Sequence, residues 1–164
     1  MAFLGGGALV TVLLLIFLGA AGGTLTPGAT QPIPFDHSIH AGTNAIACEF
    51  CHSGVDKQAA ATIPSVEQCM FCHNVVGKAL PNVQALADRW ESQQAIDWVR
   101  VHRLPDTVGF VHEPHIRAGI DCATCHGDVT TFAVMRQVRS LNMGDCMACH
   151  RQNGAPLECA TCHK

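Results

Sequence analysis

The ten cysteines of the chain all fall into one short pattern, Cys-x-x-Cys-His, which occurs five times. In chain order these first to fifth motifs are CEFCH at 48–52, CMFCH at 69–73, CATCH at 122–126, CMACH at 146–150 and CATCH at 159–163. Two thiols three positions apart on a helical turn can form thioether bonds to the two vinyl groups of a haem. The histidine that follows then lies under the iron as its proximal ligand. The pattern therefore predicts five covalently bound haem c groups.

The motifs define the predicted attachment residues. The thiols are those of Cys48, Cys51, Cys69, Cys72, Cys122, Cys125, Cys146, Cys149, Cys159 and Cys162. The proximal iron ligands are His52, His73, His126, His150 and His163. Zinc sites and disulfides are the competing interpretations, but neither requires a histidine directly after every cysteine pair. A histidine follows the cysteine pair in all five motifs, which favours haem attachment over zinc sites and disulfides.

Second axial ligands are available in matching number. Five histidines lie outside the motifs, namely His37, His40, His102, His112 and His115. If each binds one iron, every haem is ligated by two histidines. Met143, three residues before Cys146, competes with His102 for one iron, because methionine is also an axial ligand and raises the haem potential. The alternatives are a packing role for the methionine and a hydrogen-bonded or surface role for any one histidine.

The soluble part of the chain contains an internal repeat. His37 and His112 match at an offset of 75 positions, and His40 and His115 match at the same offset. The first and second motifs match the third and fourth at similar offsets, which defines two units at about 35–80 and 110–150. The fifth motif follows the second unit directly.

Composition indicates how such a chain folds. It has two tryptophans, no tyrosine and seven phenylalanines, so few large side chains are available for a core. We expect the haems themselves to form the core, covered by short helices and irregular coil. Between the units, Val83, Leu86, Ala87 and Trp90 recur at helical spacing after Pro81, which predicts a helix that stops near Arg103-Leu104-Pro105 and leaves His102 at its end. The net charge of −3, without a basic run, gives no support to nucleic-acid binding.

The N-terminal residues are apolar. Residues 1–24 carry no charged side chain and are long enough to cross a bilayer, so they predict a single transmembrane anchor; a cleaved signal peptide is the alternative. Residues 25–34 are rich in Gly, Thr and Pro and predict an extended linker, followed by a pentahaem domain at 35–164. Because thioether attachment takes place outside the bacterial cytoplasmic membrane, we expect the haem domain on the periplasmic side.

Two stretches carry a family resemblance. FDHSIHAGTNAIACEFCHSGV and FVHEPHIRAGIDCATCHGDV resemble the opening of class III cytochromes c, small multihaem carriers with two histidines on each iron. The resemblance implies that His37 and His112 ligate the haem attached just downstream. It also implies that His40 and His115 reach neighbouring haems.

A longer resemblance covers nearly the whole chain. The apolar N-terminus, the two units, WVRVHRLPDTVGFVHEPH, LNMGDCMACHR and the fifth motif together resemble the pentahaem cytochrome c subunit of alternative complex III. That family's complex is a quinol:electron acceptor oxidoreductase of bacterial respiratory and photosynthetic membranes. The resemblance implies iron–sulfur, integral-membrane and monohaem cytochrome partner subunits, and a soluble or membrane-bound electron acceptor.

Three functions compete at this point. If every iron has two protein ligands, no position is open for a substrate, and the chain is an electron-transfer subunit without catalytic residues of its own. A reductase of small oxyanions would instead need one five-coordinate haem, against which the ligand count speaks. A stand-alone membrane quinol dehydrogenase is the remaining alternative, although the roughly 25 residues between the apolar run and Cys48 are long for that class.

Overall fold

The computed structural model describes residues 28–164. The predicted anchor at 1–24 and the beginning of the predicted linker lie outside the described residues, so the anchor stays a prediction. Among the described helices, none has the length and apolar character needed to cross a membrane.

Short helices joined by irregular segments make up the described chain. The α-helices are α1 (Cys48–Cys51), α2 (Val66–His73), α3 (Pro81–Glu91), α4 (His112–Arg117), α5 (Ala123–His126), α6 (Met143–Gln152) and α7 (Cys159–Cys162). A π-helical turn spans Ser38–Thr43, and a 3₁₀ turn spans Val129–Thr131. Within residues 28–164 the only β-type pairing is one antiparallel bridge between Val108 and His163. The predicted mixture of short helices and coil is confirmed.

Two of the helices that contain motifs, α2 and α6, are longer than one turn, and the local sequence explains where each begins. The Ser65 hydroxyl accepts a hydrogen bond from the Gln68 backbone N–H at the start of α2. In the same way, the Asn142 side chain accepts from the Asp145 N–H at the start of α6, at 3.0 Å. These caps satisfy backbone donors that have no partner within the helix. The caps therefore fix the position of the first turn of each helix, and the cysteines follow in the next turns.

The helix between the two units is shorter than predicted. It begins at Pro81, as expected, but α3 ends at Glu91, and His102 lies in irregular chain well beyond it. The Ser92 hydroxyl donates to the Asp88 carbonyl at 2.6 Å, and Gln93 adopts a left-handed backbone conformation with φ of 53°. This local hydrogen bonding and the left-handed residue stop the helix. The prediction that it continues to Arg103 is therefore wrong.

The hydrophobic core of the described chain is small. Six side chains are buried: Ile33, Val55, Met70, Val83, Leu86 and Phe132. Three of them form one cluster between α2, α3 and the segment before the π-helical turn; Val66, Ala87 and Trp98 pack around it. Ile33, one of the three, belongs to the predicted linker, so the end of that segment is packed against the domain.

The two repeated units contact each other through their histidine and motif segments. The Ser38 N–H, in the π-helical turn, donates to the Phe132 carbonyl, directly after the 3₁₀ turn, at 3.1 Å. Gly42 lies so close to the Thr130 carbonyl that a Cβ atom there would clash with it. Glycine at this position lets the first unit's histidine segment pack on the loop that follows the third motif.

Candidate haem-binding site

Each attachment motif forms a helical turn. In the first, third and fifth motifs the histidine N–H donates to the carbonyl of the first cysteine, at 2.9, 3.0 and 2.9 Å. The second and fourth motifs lie wholly within α2 and α6. None of the ten cysteines forms a disulfide. The local backbone therefore has the form that paired thioether attachment to one haem requires.

Hydrogen bonds orient six of the histidine rings. In each, Nδ1 lies 2.5–3.1 Å from a backbone carbonyl oxygen. The six are His52, His73 and His150 in the motifs and His40, His112 and His115 outside them. A ring whose Nδ1 carries the proton toward a carbonyl has Nε2 free for a metal, and this support is usual for histidines that ligate metals.

Three pairs of rings have the separation expected across one iron. The ring centres are 6.1 Å apart for His40 and His73, 6.0 Å for His115 and His150, and 6.4 Å for His112 and His126. Metal–imidazole bonds of about 2 Å on each side of one metal place the ring centres about 6 Å apart. The described side chains thus fit haem iron between each pair.

The pairs follow the internal repeat. His40 of the first unit faces the second motif, and His115 of the second unit faces the fourth. Burial, followed by the charge of His52, lowers the pKa of His37. The distal ligand roles of these histidines stay predictions, but the separations of the His40–His73 and His115–His150 pairs are alike in the two units.

His126 is the most perturbed histidine. Burial, then the charges of His102, His112 and His52, lowers its pKa to about 4. The ring is therefore neutral at physiological pH, which is the form that binds iron.

The two candidates for the remaining axial position differ in their surroundings. His102 is half-buried, and its Nε2 is buried without a hydrogen-bond partner. Its ring centre is only 4.5 Å from that of His126, too close for an iron between the two. Met143 is the first residue of α6, and its side chain is 60 % exposed. The choice between them stays a prediction.

Sequence reasoning assigned no role to the phenylalanine before each histidine pair. The Phe35 ring centre lies 4.8 Å from that of His37 and 4.3 Å from that of His40. The Phe110 ring occupies the same place, 4.7 Å from His112 and 4.8 Å from His115. The signal was present in the sequence, because Phe-x-His-x-x-His occurs in both units. Each phenylalanine packs against both histidines of its unit and holds their separation.

Comparison with known proteins identifies the class of this domain. Residues 108–164, which contain the last three motifs, match the family model described as cytochrome c7 and related cytochrome c. No curated protein matches the chain. The match and the five motif turns together support a multihaem c-type cytochrome, imply covalently bound haem c and suggest electron transfer.

Proposed function

We propose that this chain is the membrane-anchored pentahaem subunit of a quinol-oxidising complex of the alternative complex III type. It would transfer electrons from that complex to a periplasmic or membrane-bound acceptor. The observation that supports electron transfer is the three histidine ring pairs at about 6 Å, because rings on both sides of an iron favour electron transfer over substrate binding. The assignment to a complex of the alternative complex III type rests on the sequence resemblance. Bound haem c supplies the one-electron chemistry; the chain sets the position, burial and axial ligands of each group.

The attachment motifs form a continuous series in the proposed path, in the order second, first, third, fourth, fifth. The second and first motifs are joined by a hydrogen bond from the Gln68 side chain to the Phe50 carbonyl. Burial, followed by the charges of Cys48 and Cys72, raises the pKa of the Cys51 thiol, which supports the same neighbourhood.

The series passes from the first unit to the second through the first and third motifs. The His112 N–H and the ring Nδ1 both lie within hydrogen-bonding distance of the Ala59 carbonyl, in the loop after the first motif, at 3.2 and 2.9 Å. Burial and then the charge of Cys48 raise the pKa of the Cys122 thiol. The first motif is therefore the part of the first unit that adjoins the second unit. The second motif then lies at one end of the series.

The second unit continues the series to the C-terminus. The Arg139 guanidinium donates to the Thr124 carbonyl at 3.0 Å and so connects the segment before α6 to the third motif. The His150 ring Nδ1 lies 2.7 Å from the Pro156 carbonyl, so the fourth motif is next to the segment that leads into the fifth. A path with two ends is what a subunit that connects a donor to an acceptor needs.

We place the chain in the bacterial cytoplasmic membrane, with one span and with the haem domain on the periplasmic side. The proposed partners are iron–sulfur, integral-membrane and monohaem cytochrome subunits. The test adds a quinol to two preparations. One is the full chain purified alone, and the other is native membranes that contain the chain with its partner subunits. We expect haem reduction only when the partner subunits are present. Reduction of the isolated chain by quinol would instead indicate a stand-alone quinol dehydrogenase.

A further inference from the structure

The segment between the two units builds a surface feature that the repeat does not contain. An open groove of about 620 Å³ runs between the start of α2, the end of α3 and residues 93–100. Both tryptophans of the chain, Trp90 and Trp98, line it, together with Arg89 and Arg100. Haem attachment uses none of these residues.

The groove is next to the second motif, at one end of the proposed series. Trp98 packs on the cluster that contains Met70, a residue inside that motif. The Trp98 ring centre is 6.4 Å from that of Phe35, and the Phe35 ring centre is 4.3 Å from that of His40. His40 faces His73 across 6.1 Å. An unbroken line of ring contacts thus connects the wall of the groove to the ligand pair of the second motif.

The groove also lies close to the N-terminal side of the domain. The Gln31 side chain donates to the Val99 carbonyl at 3.0 Å and accepts from the Val99 N–H at 2.9 Å. Gln31 lies seven positions after the end of the predicted anchor at residue 24, and a fully extended chain of that length spans at most about 25 Å. When the predicted anchor is inserted in the membrane, Gln31 at the rim of the groove therefore lies within about 25 Å of the end of the anchor.

The chemistry of the lining favours a protein partner over lipid or a small molecule. Tryptophan and arginine are the residues most enriched where protein interfaces bind tightly. Arg89 and Arg100 are balanced by Glu67 and Asp97, so the groove has no net positive charge for anionic lipid headgroups. The groove is also open along its length and does not enclose a small ligand as binding pockets do.

We propose that the groove of Trp90, Trp98, Arg89 and Arg100 is the docking site of the membrane-embedded, quinol-oxidising partner subunit. The partner would insert an apolar segment that carries one acidic and one basic side chain near its ends. Docking there would place the partner beside Cys69, Cys72 and His73, which would hold a haem c able to accept one electron from the partner, with no bond or proton change at the groove. This inference rests on the proposed function.

The test uses Trp90→Ala and Arg100→Glu in the full-length chain, expressed in its native membranes. Both side chains are exposed, so the fold and the haem content should not change. The readouts are the amount of membrane-embedded partner recovered with the chain after mild solubilisation and the rate of haem reduction by quinol. We expect each variant to lower partner recovery roughly tenfold or more, with all haems retained. Leu157→Ala and Arg103→Glu, on other exposed surfaces, are the matched controls and should recover the partner fully.

The outcomes separate this inference from the proposed function. If the wild-type chain recovers no membrane-embedded partner, the proposed function fails. If it does, and Trp90→Ala and Arg100→Glu recover the partner as well as the controls do, the docking site is wrong while the function stands. If the variants keep the partner but lose affinity for protein-free lipid vesicles, the groove binds lipid and the proposal is overturned.

Discussion

The pairing of His40 with the second motif gives a prediction that concerns a single haem. His40 is remote from Cys69 and Cys72 in sequence, yet its ring faces His73 at 6.1 Å. Replacing His40 by alanine removes that ring and leaves an axial position open on the haem attached at 69–73. We expect this haem to become high-spin in the ferric state and to bind one carbon monoxide per chain when reduced.

The size of the effect follows from the number of motifs. With five haems, one open position converts about one fifth of the total haem to high spin and leaves the others low-spin. Electron paramagnetic resonance and optical spectra of the purified protein measure that fraction, and added imidazole should restore the low-spin form. His115→Ala should give the same fraction at the fourth motif, because His115 faces His150 at 6.0 Å.

Removing one attachment site at a time assigns the affected haem. The high-spin fraction of His40→Ala should vanish when Cys69 and Cys72 are also replaced by alanine. It should persist when Cys48 and Cys51 are replaced instead. The reasoning from ring separation would be refuted if no haem or two haems changed spin state, or if the signal followed the first motif.

Further expectations concern the remaining axial ligand, the phenylalanines and the core. His102→Ala should produce one high-spin haem, because its Nε2 is buried without a protein partner, whereas Met143→Ala should leave all spin states unchanged, because His102 then fills the remaining axial position. A near-infrared methionine-to-ferric-haem band in the wild-type protein would contradict the second expectation. Phe110→Leu should alter the low-spin resonance signals of two haems without opening either, since the ring touches two histidines; a change confined to one haem would contradict this. Leu86→Ala, at 7 % exposure, should lower the free energy of unfolding by about 2–5 kcal/mol, and Leu157→Ala by less than about 1 kcal/mol, as measured by chemical denaturation.

Spacing within the sequence was enough to predict the features that depend on local geometry. Cysteines three positions apart followed by histidine form a helical turn in every motif, because the attachment chemistry allows little else. Pro81 begins α3, since its fixed φ suits the first position of a helix and its missing N–H is not needed there. The two Phe-x-His-x-x-His segments also place their rings alike in both units.

Features that depend on distant contacts could not be predicted in the same way. The end of α3 at Glu91 depends on a side-chain hydrogen bond of Ser92 and on the left-handed Gln93, neither of which hydrophobic periodicity reveals. Ile33 lies in a stretch whose Gly, Thr and Pro content predicts an extended linker, yet it packs between α2 and α3. Facing pairs such as His40 and His73 join residues far apart in the chain, and spacing alone does not determine which motif each histidine faces.

The described part of the chain has only a small hydrophobic core, and we expect it to serve mainly to hold the haem groups. Only six described hydrophobic side chains are buried, and none of the described polar or charged side chains is. Much of the regular structure consists of the motif turns and of the two segments that contain the histidine pairs. This arrangement explains why helix boundaries follow the ligands and caps and depend little on a continuous apolar face.

The central claim is that all five motifs carry haem c. Intact-protein mass spectrometry of the chain purified from its native membranes tests it most directly, with alkylation of any free thiols before the measurement. The account predicts a single species whose mass exceeds that of the polypeptide by five haem groups, with no thiol alkylated. A species with fewer haems and alkylated cysteines, or one that loses its added mass on denaturation with a chelator, would contradict the account.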